Sequence, residues 1–189
     1  MTTLAEFEKN FNGHAMPELL RDLLEFQGTV GDMSYSQAIF LAQDDKSGLA
    51  HGWSDDPTFL RDLIPFAIAT GSGSFYALWN NGTDENLSEW PVVLFGDEGG
   101  EWIVARNLRE LIQISTCDVE PMLYEEVSFY KDEEHENSVA INRYQDWLMS
   151  RFKIEPIEDP LPIVQSAQDQ LQASFDAWKK PYLVHWDNE

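Results

Sequence analysis

A single cysteine, Cys117, occurs among 189 residues. No intrachain disulfide can form, and a reducing compartment is expected. Cys117 ends an apolar helix pattern, so a buried structural thiol is expected rather than a reactive one. No apolar run approaches the ~20 residues that a membrane span needs. The first residues, Met1–Phe11, are acidic and lack the apolar stretch of a signal peptide, so the expected location is cytoplasmic. Cations are scarce, with 12 Lys and Arg against 34 Asp and Glu, a net charge of −22. Such a surface repels nucleic acids and anionic lipid headgroups and attracts basic proteins. Solubility alone would also favour that charge.

The motifs of several chemistries are missing as well. The four histidines, His14, His51, His135 and His185, are scattered, and no pair has the His-x-x-x-His spacing that puts two ligands on one helix face. The chain has no phosphate loop ending in Gly-Lys-Ser/Thr, and no G-x-S-x-G. Gly71-Ser-Gly-Ser-Phe-Tyr76 begins like a dinucleotide fingerprint, but Tyr76 stands where the third glycine belongs and a strand follows instead of a helix. Asp97-Glu98-Gly99 lacks the alternating oxygen ligands of a calcium loop and reads as a solvated turn. No catalytic residue, metal or cofactor is expected.

What is present is a packed core. Hydrophobic residues make up 43% and aromatics 13% of the chain, ample for one folded domain. The stretch Leu63–Ile114 reads as strand, glycine turn, strand, polar loop, strand, glycine turn, strand and capped helix. Its strands are Pro65–Ala69, Phe75–Trp79, Pro91–Phe95 and Trp102–Ala105. Glycines in 71–73 and 96–100 supply turns. Asn107 and Glu110 form a capping box for the helix carrying Leu108, Leu111, Ile112 and Ile114. Upstream, a helix is predicted over Met16–Phe26, stopped by Gly28. A strand follows over Tyr35–Ala42, then a turn at Asp44–Gly48 and a short helix over Pro57–Leu63.

Asp118–Glu136 carries eight acidic residues against one cation, Lys131, yet retains enough apolar residues to be ordered for part of its length. Two helices then follow, Ser138–Phe152 and Ile163–Lys179, joined by a proline-stiffened linker. In the second, Val164, Ala167, Leu171, Phe175 and Trp178 form the apolar stripe. Gln165, Gln168, Asp169, Gln172 and Asp176 are predicted to face away from it.

The segment Ile64–Leu111 resembles the SUKH superfamily, which includes the yeast cell-wall-assembly regulators and many bacterial immunity proteins. The resemblance lies in Pro65-Phe66-Ala67, Gly71–Gly73, Tyr76-Ala77-Leu78-Trp79, Pro91–Gly96, Glu98-Gly99 and Asn107-Leu108 with its helix. It covers about a quarter of the chain directly. It implies an α+β fold with an antiparallel β-sheet of about four to six strands flanked by helices. The SUKH-like domain would span 1–136, with residues 137–189 a C-terminal helical extension packed on it. It also implies binding rather than catalysis, since bacterial relatives commonly neutralise toxins by binding them.

Two functions are therefore expected to compete. One is an immunity protein that occludes a basic partner, a nuclease-type toxin. The other is a cytosolic regulatory or scaffolding protein with no toxin partner. The chain is expected to be a monomer or weak homodimer, without nucleic-acid or membrane partners. The candidate partner-binding residues are Asp84, Glu85 and Glu89 in the polar loop, Asp97, Glu98 and Glu101 around the second glycine turn, and Asp132, Glu133, Glu134 and Glu136 in the acidic run. Trp90, at a strand entrance before Pro91, and Tyr130 are the candidate aromatic anchors, because interface hot spots favour Trp and Tyr.

Overall fold

The computed structural model describes residues 2–31, 34–131 and 137–183. Five strands form one antiparallel sheet in sequence order, β1 (Phe40–Leu41), β2 (Leu63–Ile68), β3 (Phe75–Trp79), β4 (Val92–Phe95) and β5 (Glu101–Ala105). The fold is α+β, and its central strands are buried on both faces. Side chains alternate across a strand, so Tyr76, Leu78, Val92 and Leu94 enter one core while Ala77, Trp79, Val93 and Phe95 enter a second. That double burial explains why Val92–Phe95 is apolar without interruption although the sheet is antiparallel.

The first core is closed by α1 (Leu4–Phe7), α2 (Glu18–Val30), α5 (Leu108–Ile114) and α6 (Ile141–Phe152). Phe26 of α2 stacks on Trp147 of α6 at 4.7 Å between ring centroids. The second core is closed by α3 (Ser47–Gly52), α4 (Pro57–Asp62) and α7 (Leu161–Lys179). Phe175 of α7 meets Trp79 edge-on at 5.1 Å, and Trp178 stacks on Phe59 at 5.4 Å. The C-terminal helices thus cover sheet residues that would otherwise face water. A separate hairpin, β6 (Glu120–Leu123) and β7 (Val127–Tyr130), follows α5.

Several expectations are corrected. Helix α2 runs through Gly28 and ends at Gly31, whose φ of 63° is the conformation glycine tolerates. Of the expected Tyr35–Ala42 strand, only the last three residues bond to β2: Phe40 and Leu41 pair with Ile68 and Ala67, and the Ala42 N–H donates to the Phe66 carbonyl at 3.1 Å. Ahead of them, Ser36 Oγ takes the Ala38 N–H at 3.1 Å and Asp118 takes the Gln37 N–H at 2.9 Å. These side chains replace a ladder. Ser47 and Gly48, expected in a turn, begin α3. Asn107 caps α5 by accepting the Glu110 N–H, but Glu110 reaches back to the Arg106 N–H, one residue before the box position.

Gln172, expected to face away from the apolar stripe, turns to the sheet and accepts the Ile103 N–H at 2.8 Å. Its counterpart at the other edge is Gln27. The Gln27 amide accepts the Leu41 N–H at 2.8 Å and donates to the Leu41 carbonyl at 2.9 Å. A glutamine from a helix therefore engages the backbone of each edge strand, where exposed groups would recruit another chain.

Candidate acidic binding surface

The two hairpin turns of the sheet lie at the same end, because β3 and β4 run in opposite directions. Ser74, closing the first turn, donates its hydroxyl to Asp97 in the second at 2.7 Å, and the Asp97 N–H returns to Ser74 Oγ at 3.1 Å. The Ser74 hydroxyl holds the Asp97 carboxyl below its ordinary value. Gly96 is required here. A Cβ on it would lie 2.5 Å from the Gly99 carbonyl oxygen and 2.7 Å from Leu123. That contact seats the β6–β7 hairpin against the second turn. Glu120 reaches the first turn, where its carboxylate accepts the Gly71 N–H at 3.4 Å.

The hairpin register then sets an outward face. Glu120 opposes Tyr130 and Met122 opposes Ser128, while Pro121 and Val127 point into the interior. Tyr124 continues the alternation at the tip. Tyr130 is 51% exposed and Tyr124 67% exposed, both large aromatic side chains offered to solvent. Glu98, Glu125 and Glu126 around them are exposed. The cation of this region, Lys131, donates to Asn137 and lies 3.8 Å from Asp118. Asp97, Glu98 and Tyr130 are all exposed, on the second turn and on the hairpin seated against it.

The other candidates lie elsewhere. Asp84, Glu85 and Glu89 sit on the loop joining β3 and β4, at the opposite end of the sheet, and are exposed. Asp84 and Glu85 line a depression of about 530 Å³ together with His14 and Trp90. Trp90 is only 2% exposed and donates its indole N–H to the Asp84 carbonyl at 2.8 Å. It packs as part of the core and holds the loop, so it offers no exposed anchor. Glu101 is turned inward as well. It accepts from the Trp53 indole at 2.8 Å and pairs with Lys179 at 2.6 Å, tying α7 to β5. Asp132, Glu133, Glu134 and Glu136 lie outside the described residues.

Sequence reasoning missed Glu120, Tyr124, Glu125 and Glu126 as members of this surface. The available signal was the alternation of Pro121, Leu123, Val127 and Phe129 about the Tyr124–Glu126 turn, which marks a hairpin with two distinct faces.

Among the described residues no group of three or more His, Cys, Asp or Glu side chains could hold a metal ion. No helix there is long and apolar enough to cross a membrane. Cys117 is half-buried, and burial, helped by Asp159, pushes its thiol up to about 11. The arrangement offers charge, hydrogen-bond acceptors and aromatic contact area. No family model, curated protein or solved structure matches the chain.

Proposed function

We propose that this chain is a non-catalytic protein-binding domain of the immunity type, which holds and neutralises a basic, nuclease-type toxin. The observation that carries this reading is the pairing of two exposed tyrosines, Tyr124 and Tyr130, with the carboxylates of Asp97, Glu98, Glu120, Glu125 and Glu126 at one end of the sheet. Tyrosine supplies contact area and a hydroxyl at little conformational cost. The carboxylates supply a field. An active site that binds phosphates is positive, and an acidic surface complements it. Steering between such surfaces brings association toward roughly 10⁸ M⁻¹s⁻¹ at low salt. The net charge of −22 extends that field over the whole molecule.

The test is capture of the tagged chain from its native cytosol at low salt, followed by assay of what elutes. A stoichiometric basic protein whose nuclease activity or toxicity disappears in the complex is expected. Recovery of assembly or signalling proteins alone would overturn the immunity reading and leave a scaffolding role.

A further inference from the structure

The geometry points to a second recognition element beside this surface. The outer edge of β7 is a strand-addition site for an extended, Lys/Arg-bearing segment of the partner. The inference rests on the proposed basic partner.

The argument begins with which backbone groups are used. In an antiparallel pair, hydrogen-bonded and non-hydrogen-bonded residue pairs alternate. The Tyr124 N–H donates to the Glu126 carbonyl at 3.3 Å. The bonded pairs that follow are Met122 with Ser128 and Glu120 with Tyr130. Val127 and Phe129 therefore direct N–H and C=O away from β6. Among the described residues, no backbone or side-chain group meets these outward groups. The remaining strand edges differ. Gln27 engages β1 and Gln172 engages β5. On β6 the outward positions are Pro121, which has no N–H, and Leu123, which packs on Gly96 and Gly100. The edge of β7 is left without a main-chain partner among the described residues.

The space beside this strand is shaped and charged. A groove of about 370 Å³ runs between Glu126–Ser128 and the start of α7, with Val127, Leu161, Pro162 and Val164 as its apolar lining. Glu126 and Asp159 also line it, and no cation does. Gln168 of α7 lines the groove too, and its Nε2 is buried without a hydrogen-bond partner. A buried donor left unpaired is unfavourable, and an incoming backbone carbonyl would satisfy it. Main-chain pairing supplies affinity in strand addition, and alternate side chains supply specificity. Here those side chains are basic residues reaching Glu126 and Asp159.

The test uses the full chain and an acetylated peptide of alternating lysine and valine, followed by amide NMR. The Val127 and Phe129 amides and the Gln168 side-chain amide are expected to shift on titration. Gln168→Leu and Glu126→Lys should each weaken binding about tenfold. The same peptide with N-methylated backbone amides should not bind. Equal binding by the N-methylated peptide, shifts confined to the Asp84–Glu89 end, or no binding would each overturn the site. So would β7 shifts that follow protein concentration instead of peptide, which would make a second copy of the chain the occupant. A captured basic toxin indifferent to both substitutions would overturn this site and leave the immunity reading. A peptide that docks on β7 in a chain that captures no basic protein would do the reverse.

Discussion

Asp118 occupies a costly position, with φ at 53° and only 2% of its surface exposed. A buried carboxylate persists only when its lone pairs are occupied. Here the donors are the Gln37 N–H at 2.9 Å, the Ser138 N–H at 2.7 Å and the Ser138 hydroxyl at 2.6 Å. One side chain thus ties the segment before β1 to the segment before α6. Asp118→Ala strands these donors and leaves a less tolerant residue at positive φ, a loss of about 3 kcal/mol or more. Asp118→Asn keeps the conformation and one acceptor, so it should lose about 1–2 kcal/mol. Urea midpoints would measure both, and two variants as stable as the parent would show that the clamp holds nothing. Cys117 offers a second test. Its Sγ donates to the Ile157 carbonyl at 3.3 Å, and burial raises its pKa to about 11. The thiolate is the nucleophile, so at pH 8 alkylation should be slower than for a free cysteine by about two orders of magnitude. Because the folded value is raised, the rate should climb about tenfold per pH unit up to that value. Alkylation at the free-thiol rate would place Cys117 in solvent.

At the scale of elements, the glutamines on the sheet edges explain what the sequence could and could not reveal. Strands β2 to β5 were legible because glycine turns bracket apolar runs, and the pattern of those runs is local. The sequence pattern turns Gln172 outward because hydropathy registers polarity and not which backbone group lies within reach. The first part of the Tyr35–Ala42 run, ahead of Phe40, forms no ladder for a related reason, since Ser36 and Asp118 take the Ala38 and Gln37 N–H groups. Helix α2 passes Gly28 because Gln27 and Val30, beyond the predicted last residue Phe26, are buried, and tertiary packing outweighs a cost of ~1 kcal/mol. The acidic side chains of the candidate surface were legible from composition. Their grouping was not, because it depends on the contact of Leu123 with Gly96 and on the register of β6 with β7. These edge contacts make a specific demand on stability. Gln172→Leu leaves the Ile103 N–H unpaired and should lose about 1–3 kcal/mol. Gln27→Leu should lose more, because it strands the Leu41 N–H, the Leu41 carbonyl and the Tyr35 hydroxyl, which donates to Gln27 at 2.9 Å. Both should raise light scattering on storage as edge groups open to other chains. Unchanged denaturation and scattering would show that neither amide protects its edge.

At the scale of the molecule, cations are outnumbered, 12 against 34 carboxylates, and several sit in local ion pairs. Arg106 is paired with Glu110, Arg151 with Glu18 and Asp22, and Lys179 with Glu101 and Asp176. The excess charge of −22 is then carried by a folded chain that repels itself. Salt should therefore raise the Tm of the isolated protein. Screening shortens the Debye length from about 10 Å at 0.1 M to about 3 Å at 1 M, which relieves the diffuse repulsion. The exposed ion pairs lose little in exchange, since each contributes about 1 kcal/mol or less. Association with a basic partner should respond in the opposite sense, its rate falling as the same field is screened. The two salt dependences separate a charge that serves recognition from one that serves solubility. Thermal melts and stopped-flow association across one salt series would measure both. A rising Tm with an association rate that ignores salt would assign the acidity to solubility, and the Tyr124 and Tyr130 contacts would then have to supply recognition without steering.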